Sequence, residues 1–220
     1  MRPNDESMIG QPQAVPPFIK TLLILNGGAF IVTMGLPQLL LWFALWPIGT
    51  PPEANLGGQV IDLPGFWLWQ LVTYGFLHGG LAHLLFNMFT LWMFGSPLEN
   101  LWGSRAFAQY FMVCVIGAGL VQLVVVSLST TSGVYPTVGA SGGVFGILLA
   151  FGMFFPNRWV MLLFPPIPMK AKYLVIIFGG LELFFGISGT QSGVAHFAHL
   201  GGMAFGFALI WLSRSSRPRG

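Results

Sequence analysis

From Phe107 to Leu128 the chain carries not one charged side chain, and five other stretches come close to matching it. They are Thr21–Leu36, Gly79–Phe94, Val138–Phe155, Tyr173–Ile187 and Val194–Leu212, which together hold a single acid, Glu182, and no lysine or arginine. About 20 apolar residues in a helix cross the roughly 30 Å of a bilayer's hydrocarbon core. Inside that core every backbone polar group needs an internal partner, so only helices and closed barrels can span it. The apolar runs are continuous and show no strand-like alternation, which points to helices. Of the 220 residues 55% are hydrophobic and 7% charged, where a soluble domain carries about a quarter charged residues. The chain reads as an all-α, polytopic membrane protein: a bundle of six transmembrane helices embedded in the lipid bilayer.

The interruptions define the remaining organisation. Residues 1–17 are polar, of mixed charge and rich in proline, and no short apolar core leads to a small-residue cleavage site, so they read as a flexible tail and not a signal peptide. The membrane domain is expected over 18–213, and the arginine-rich 214–220 as a basic tail with no appended regulatory module. Pro37 to Phe76 reads as a long first loop of short amphipathic pieces lying at the membrane surface, where Phe66, Trp67, Trp69, Tyr74 and Phe76 suit the interface. With six spans, Arg2, Lys20, Arg105, Arg158, Lys170, Lys172, Arg214, Arg217 and Arg219 all fall on one side. Glu53 and Asp62 fall on the other. The positive-inside rule then puts both termini in the cytoplasm and the long loop outside it. The compact form and the absence of a transit peptide fit a bacterial plasma membrane. The net charge of +3 is spread over segment ends, so it marks topology and not a nucleic-acid site. Cys114 stands alone, which excludes an internal disulfide.

Polar groups retained in hydrocarbon are functional candidates. The second, fourth and sixth spans run inward from the outer side and bring His83, Ser141 and His199 to a common depth, roughly 5–10 Å below their outer ends at 1.5 Å per residue. Ser141 sits in Gly139-Ala140-Ser141-Gly142-Gly143. This matches G-x-S-x-G, but the soluble nucleophile elbow needs a preceding strand that is missing. The glycines also form small-xxx-small pairs suited to close helix packing. Both readings hold together, since close packing would bring the hydroxyl to a partner on another helix. His199 precedes Gly202 and Gly206, a second small stripe. It is either a structural hydrogen-bonder or the general base, with His196 ranked second for the base. A serine to attack and a histidine to carry its proton suffice for nucleophilic hydrolysis. His83 and Asn87, four apart on one helix face, are either a self-satisfied pair joining helices or donors for a developing oxyanion. His78 is expected at the water interface. No carboxylate is placed to orient His199, and Glu182 reads as a protonated structural hydrogen-bonder. The mechanism expected is therefore a Ser141–His199 dyad. Four histidines without H-E-x-x-H or a carboxylate cluster make a metal or haem site the weaker reading, and no metal or other cofactor is expected.

The set HGGLAHLLFN (His78 to Asn87), GASGG (Gly139 to Gly143) and AHLGGMAFG (Ala198 to Gly206) resembles the rhomboid family of intramembrane serine proteases. The likeness runs from about Phe66 to Trp211 and includes Glu99 and Gly103, placed in the short loop after the second span. Each motif is weak alone; their order and separation make the set specific. The resemblance implies Ser141 as nucleophile and His199 as base, with His83, Asn87 and the Ser141 N–H holding the oxyanion. Gly139 and Gly202 support that geometry. Phe145 stands where the family often has a tyrosine on the catalytic imidazole, and a phenyl ring can still stack. Trp69-Gln70 stands where many members have Trp-Arg, so any role that needs a cation there is in doubt. The resemblance also implies an endopeptidase cutting transmembrane helices of other membrane proteins, which would enter between the second and fifth spans. A non-catalytic relative that binds and escorts such helices is the alternative.

Overall fold

The computed structural model describes residues 14–56, 59–128, 135–162, 166–189 and 194–215. Most of both expected tails, 1–13 and 216–220, lies outside the described residues. Among the described residues five helices are long and apolar enough to cross a membrane. The first is α1 (Pro17–Gly35). The second, Leu81–Trp102, is continuous through α4 (Leu81–Thr90), a π-helical turn (Leu91–Gly95) and α5 (Ser96–Trp102). The others are α6 (Ser104–Leu128), α8 (Ala171–Ser188) and α9 (His196–Ser215).

The fourth expected span is shorter than predicted. The helix α7 covers Ser141–Phe154, 14 residues, about 21 Å of rise. It starts late because Gly139 adopts φ 129°, a conformation closed to a helix and open to glycine. A side chain there would also strike the ring of His83, 2.8 Å from the position a Cβ would take. Likewise α9 begins at His196, two residues later than expected. Ser141 and His199 therefore sit in the first turn of their helices, rather than some way inside them.

The centre of the bundle is α6 packed on α7 and α9, and glycine makes the approach possible. Gly142 lies against Ala118, Gly146 against Cys114, and Gly201 against Val121. The Tyr110 hydroxyl abuts Gly206 and donates to the Gly146 carbonyl at 2.7 Å. Where α7 and α9 cross, Gly202 meets the backbone of Gly142 itself. The facing small-residue stripes read from the sequence are the contact surfaces.

Three expectations need correction. Glu99 is helical, in α5, and not in a loop. Its buried carboxylate accepts the N–H groups of Phe18 and Ile19 at 2.8 Å each, and the Ser104 hydroxyl at 2.5 Å. Pro16 and Pro17 have no N–H, so the Phe18 and Ile19 groups are the two free donors at the start of α1, and the carboxylate satisfies both where the helix has no side-chain cap of its own. Glu182 is accordingly not the sole carboxylate within a span. The long loop also contains strands, an antiparallel hairpin of β1 (Glu53–Leu56) and β2 (Gln59–Asp62), beside the short helices α2 (Gln38–Phe43) and α3 (Gln70–Thr73). A second small hairpin, β3 (Trp159–Met161) with β4 (Pro168–Lys170), joins α7 to α8.

Gln70, where a cation was in question, is fully buried. It accepts from the Trp46 N–H at 3.1 Å and donates to the Gly65 carbonyl at 3.0 Å. The side chain stitches three parts of the loop together through backbone atoms, a task that needs an amide's paired donor and acceptor and no charge.

Candidate active site

The loop fixes the approach to Ser141. Thr137 and Leu45 exchange backbone hydrogen bonds at 2.9 and 3.0 Å, and the Gly139 N–H donates to the Tyr74 carbonyl at 2.9 Å. Tyr74 is itself anchored, its hydroxyl donating to the Val115 carbonyl at 2.6 Å. The residues entering α7 are thus held on both sides, and Ser141 follows as the first helical residue. In that position its N–H has no carbonyl partner within the helix.

The Ser141 Oγ lies 2.7 Å from His199 Nε2, across 58 residues of sequence. That is a full-strength hydrogen bond, made at the level where Gly142 and Gly202 let the two helices touch. Phe145 lies flat on the imidazole, with ring centroids 4.2 Å apart and an interplanar angle of 7°. A phenyl ring here does stack, and it closes one face of the imidazole.

A cavity of about 550 Å³ opens over the pair and is lined by His83, Asn87, Ser141, Phe145 and His199 among others. His83 and Asn87 share it, as their spacing along α4 requires. Asn87 is buried, and its Nδ2 has no hydrogen-bond partner among the described residues. A buried amide donor left unpaired costs about 1–3 kcal/mol, and the residue that carries it lines the same space as the serine. The larger cavity, about 920 Å³, lies among Leu101, Trp102, Tyr110, Phe154 and Ile210 and has neither histidine nor carboxylate in its lining.

Two placements differ from the sequence reading. His78 is buried, not at the water interface, and packs edge-on against His83 with centroids 5.0 Å apart. Burial, and then the neighbouring His83, push its pKa down to about 4, so it is neutral at pH 7. Glu182, read as a structural hydrogen-bonder not placed to orient a histidine, lies between two of them. Its Oε2 is 2.6 Å from His196 Nδ1 and 2.9 Å from His199 Nδ1. The His199 contact is one of distance rather than alignment, because the ring N–H does not point squarely at the oxygen. The donor atoms of Glu182, His196 and His199 lie within 4.8 Å of one another, a set that could also hold a divalent cation. Gln70, Tyr74 and Glu182 are the residues that sequence reasoning missed here. The first two act on backbone atoms distant in the chain, which leaves no local pattern to read.

The family model of the rhomboid domain matches residues 66–216, a span that contains every residue of this site. The chain belongs to the rhomboid family. This rhomboid is 32% identical over 144 residues to the Rhomboid protease GluP of Bacillus subtilis, covering 65% of the chain and 25% of that relative. It is 30% identical over 155 residues to the Putative rhomboid protease YdcA of the same organism, covering 70% of the chain and 71% of the relative. Rhomboid protein 1, mitochondrial, of Saccharomyces cerevisiae matches at 30% over 142 residues, 64% of the chain and 41% of the relative. The chain thus spans less than half the length of the yeast protein and of GluP. Family and protease-named relatives together support a protease of the membrane at the level of the family.

Proposed function

We propose that this rhomboid is an intramembrane serine endopeptidase that hydrolyses peptide bonds in or near transmembrane helices of other membrane proteins. The observation that carries the reading is the 2.7 Å contact between Ser141 Oγ and His199 Nε2 in a cavity also lined by Asn87, whose Nδ2 has no partner among the described residues.

In this reading His199 Nε2 takes the hydroxyl proton as Oγ bonds to the scissile carbonyl carbon. The carbonyl π electrons move onto oxygen, and the resulting oxyanion is met by Asn87 Nδ2, the His83 ring and the Ser141 N–H. Collapse of the tetrahedral species re-forms the carbonyl and expels the amine, which leaves with the proton held by His199. Water then attacks the acyl-enzyme, again giving its proton to Nε2, and the acid product and free Ser141 are released. A peptide bond inside a helix is hydrogen-bonded and shielded, so the substrate segment must unwind before it can enter. The asymmetry of charge supports an orientation with both termini cytoplasmic. Lys20, Arg105, Arg158, Lys170 and Lys172 belong, by helix connectivity, to the end of the bundle opposite Ser141. An escort that only binds transmembrane helices has no use for a hydroxyl in bonding contact with an imidazole.

The test is mapping of a fluorophosphonate adduct, paired with cleavage of a transmembrane substrate in proteoliposomes. The expected result is an adduct on Ser141, with Ser141→Ala and His199→Ala folded and inactive. Undiminished cleavage by folded Ser141→Ala would refute the assignment.

A further inference from the structure

We propose that Glu182 is a positioning residue for His199 and that His196 steadies it, extending the dyad to a relay of Ser141, His199, Glu182 and His196. The inference rests on the protease reading above.

For Nε2 of neutral His199 to accept the serine proton, the ring must carry its own proton on Nδ1. That nitrogen faces Glu182 Oε2 at 2.9 Å, so a carboxylate there favours the working tautomer. It also opposes the positive charge that the ring acquires in the transition state. The same oxygen lies 2.6 Å from His196 Nδ1, which donates to it and keeps it from turning away. His196 Nε2 is buried and unpartnered among the described residues, so the ring is held through Nδ1. The imperfect aim of the His199 N–H agrees with a site at rest, since catalytic hydrogen bonds often align only once substrate is bound. Phe145 covers one face of the ring, so the imidazole cannot swing far to that side from its place between Ser141 and Glu182.

The placement of α8 gives a second argument. Its buried residues are Ala171, Leu174 and Val175, all in the first two turns. Glu182 belongs to the later half, where Leu181, Leu183, Phe184 and Ile187 are exposed. There Gly186 packs against His196 and Phe197. A carboxylate facing inward from a lightly packed half-helix, onto the base of a hydrolytic pair, is placed by what it touches.

The experiment compares wild type, Glu182→Gln, Glu182→Asp and His196→Ala in proteoliposomes. It measures kcat and KM separately, the rate of fluorophosphonate labelling, the thermal midpoint and bound metal by elemental analysis. Glu182→Gln is expected to lower kcat and the labelling rate together by about ten- to a hundredfold, with KM within about twofold. Glu182→Asp should recover part of the loss, and His196→Ala should give a smaller fall in kcat. Glu182→Gln with wild-type kcat and labelling would overturn the proposal. So would a loss wholly accounted for by a lowered thermal midpoint, or stoichiometric metal in active wild type that Glu182→Gln lacks. A wild type that neither cuts nor labels would instead overturn the protease reading.

Discussion

Replacing Gly202 by alanine tests whether the helix crossing sets the distance between Ser141 and His199. A Cβ at Gly202 would sit 2.7 Å from the carbonyl carbon of Gly142 and 3.2 Å from its Cα. Non-bonded carbons prefer about 3.5–4.0 Å, so the overlap amounts to roughly 1 Å. The atoms struck are main chain in the first turn of α7, and they have no rotamer by which to give way. Instead α9 must retreat, and His199, three residues before Gly202 and on the same face, retreats with it. A 2.7 Å hydrogen bond lengthened by about 1 Å lies beyond the useful range. Misplacement on that scale costs about a hundredfold in rate. Gly202→Ala should therefore lower both turnover in proteoliposomes and the rate of fluorophosphonate labelling by about a hundredfold. Overpacking should also cost about 1–3 kcal/mol of stability. Gly180→Ala on α8, where a Cβ meets nothing within 4 Å, is the control and should leave both rates unchanged. Gly202→Ala with turnover and labelling within twofold of wild type would refute the reasoning.

Asn87→Ala should lower kcat by about ten- to a thousandfold, as loss of one oxyanion donor does, with little change in KM; steady-state kinetics on a transmembrane substrate check it, and unaltered kcat removes Asn87 from the oxyanion site. Gln70→Ala leaves the buried Trp46 N–H without its acceptor and should cost about 1–3 kcal/mol, read as a lower thermal midpoint in detergent. Glu99→Gln keeps one acceptor oxygen for the two α1 N–H groups now served by two; a stability loss of about 1–3 kcal/mol is expected in denaturant titration, with turnover per folded molecule unchanged.

The membrane class, the helices and the meeting of Ser141 with His199 were legible because each left a local mark. Ser141 and His199 sit beside their glycines, so one short string carries both the polar side chain and the means of bringing its helix close. His83 and Asn87 declare a shared face by spacing alone. What stayed hidden depends on contacts between distant segments. The sequence places Glu182 within α8, but its meeting with His199 depends on the rotational setting of a helix with few buried residues. Glu99 looked like a loop acid because the apolar run weakens there, whereas its partners are N–H groups some 80 residues earlier. The start of α7 was misplaced because an apolar string continues through Val138 while the backbone at Gly139 does not.

At Gly202 two main chains rest on each other with no side chain between them. The spacing of Ser141 and His199 is thereby a property of peptide geometry, and the oily residues around it are not what measures it out. Drift along the lipid-facing surface leaves that spacing untouched. The gauge at the crossing would stay fixed for as long as both glycines do.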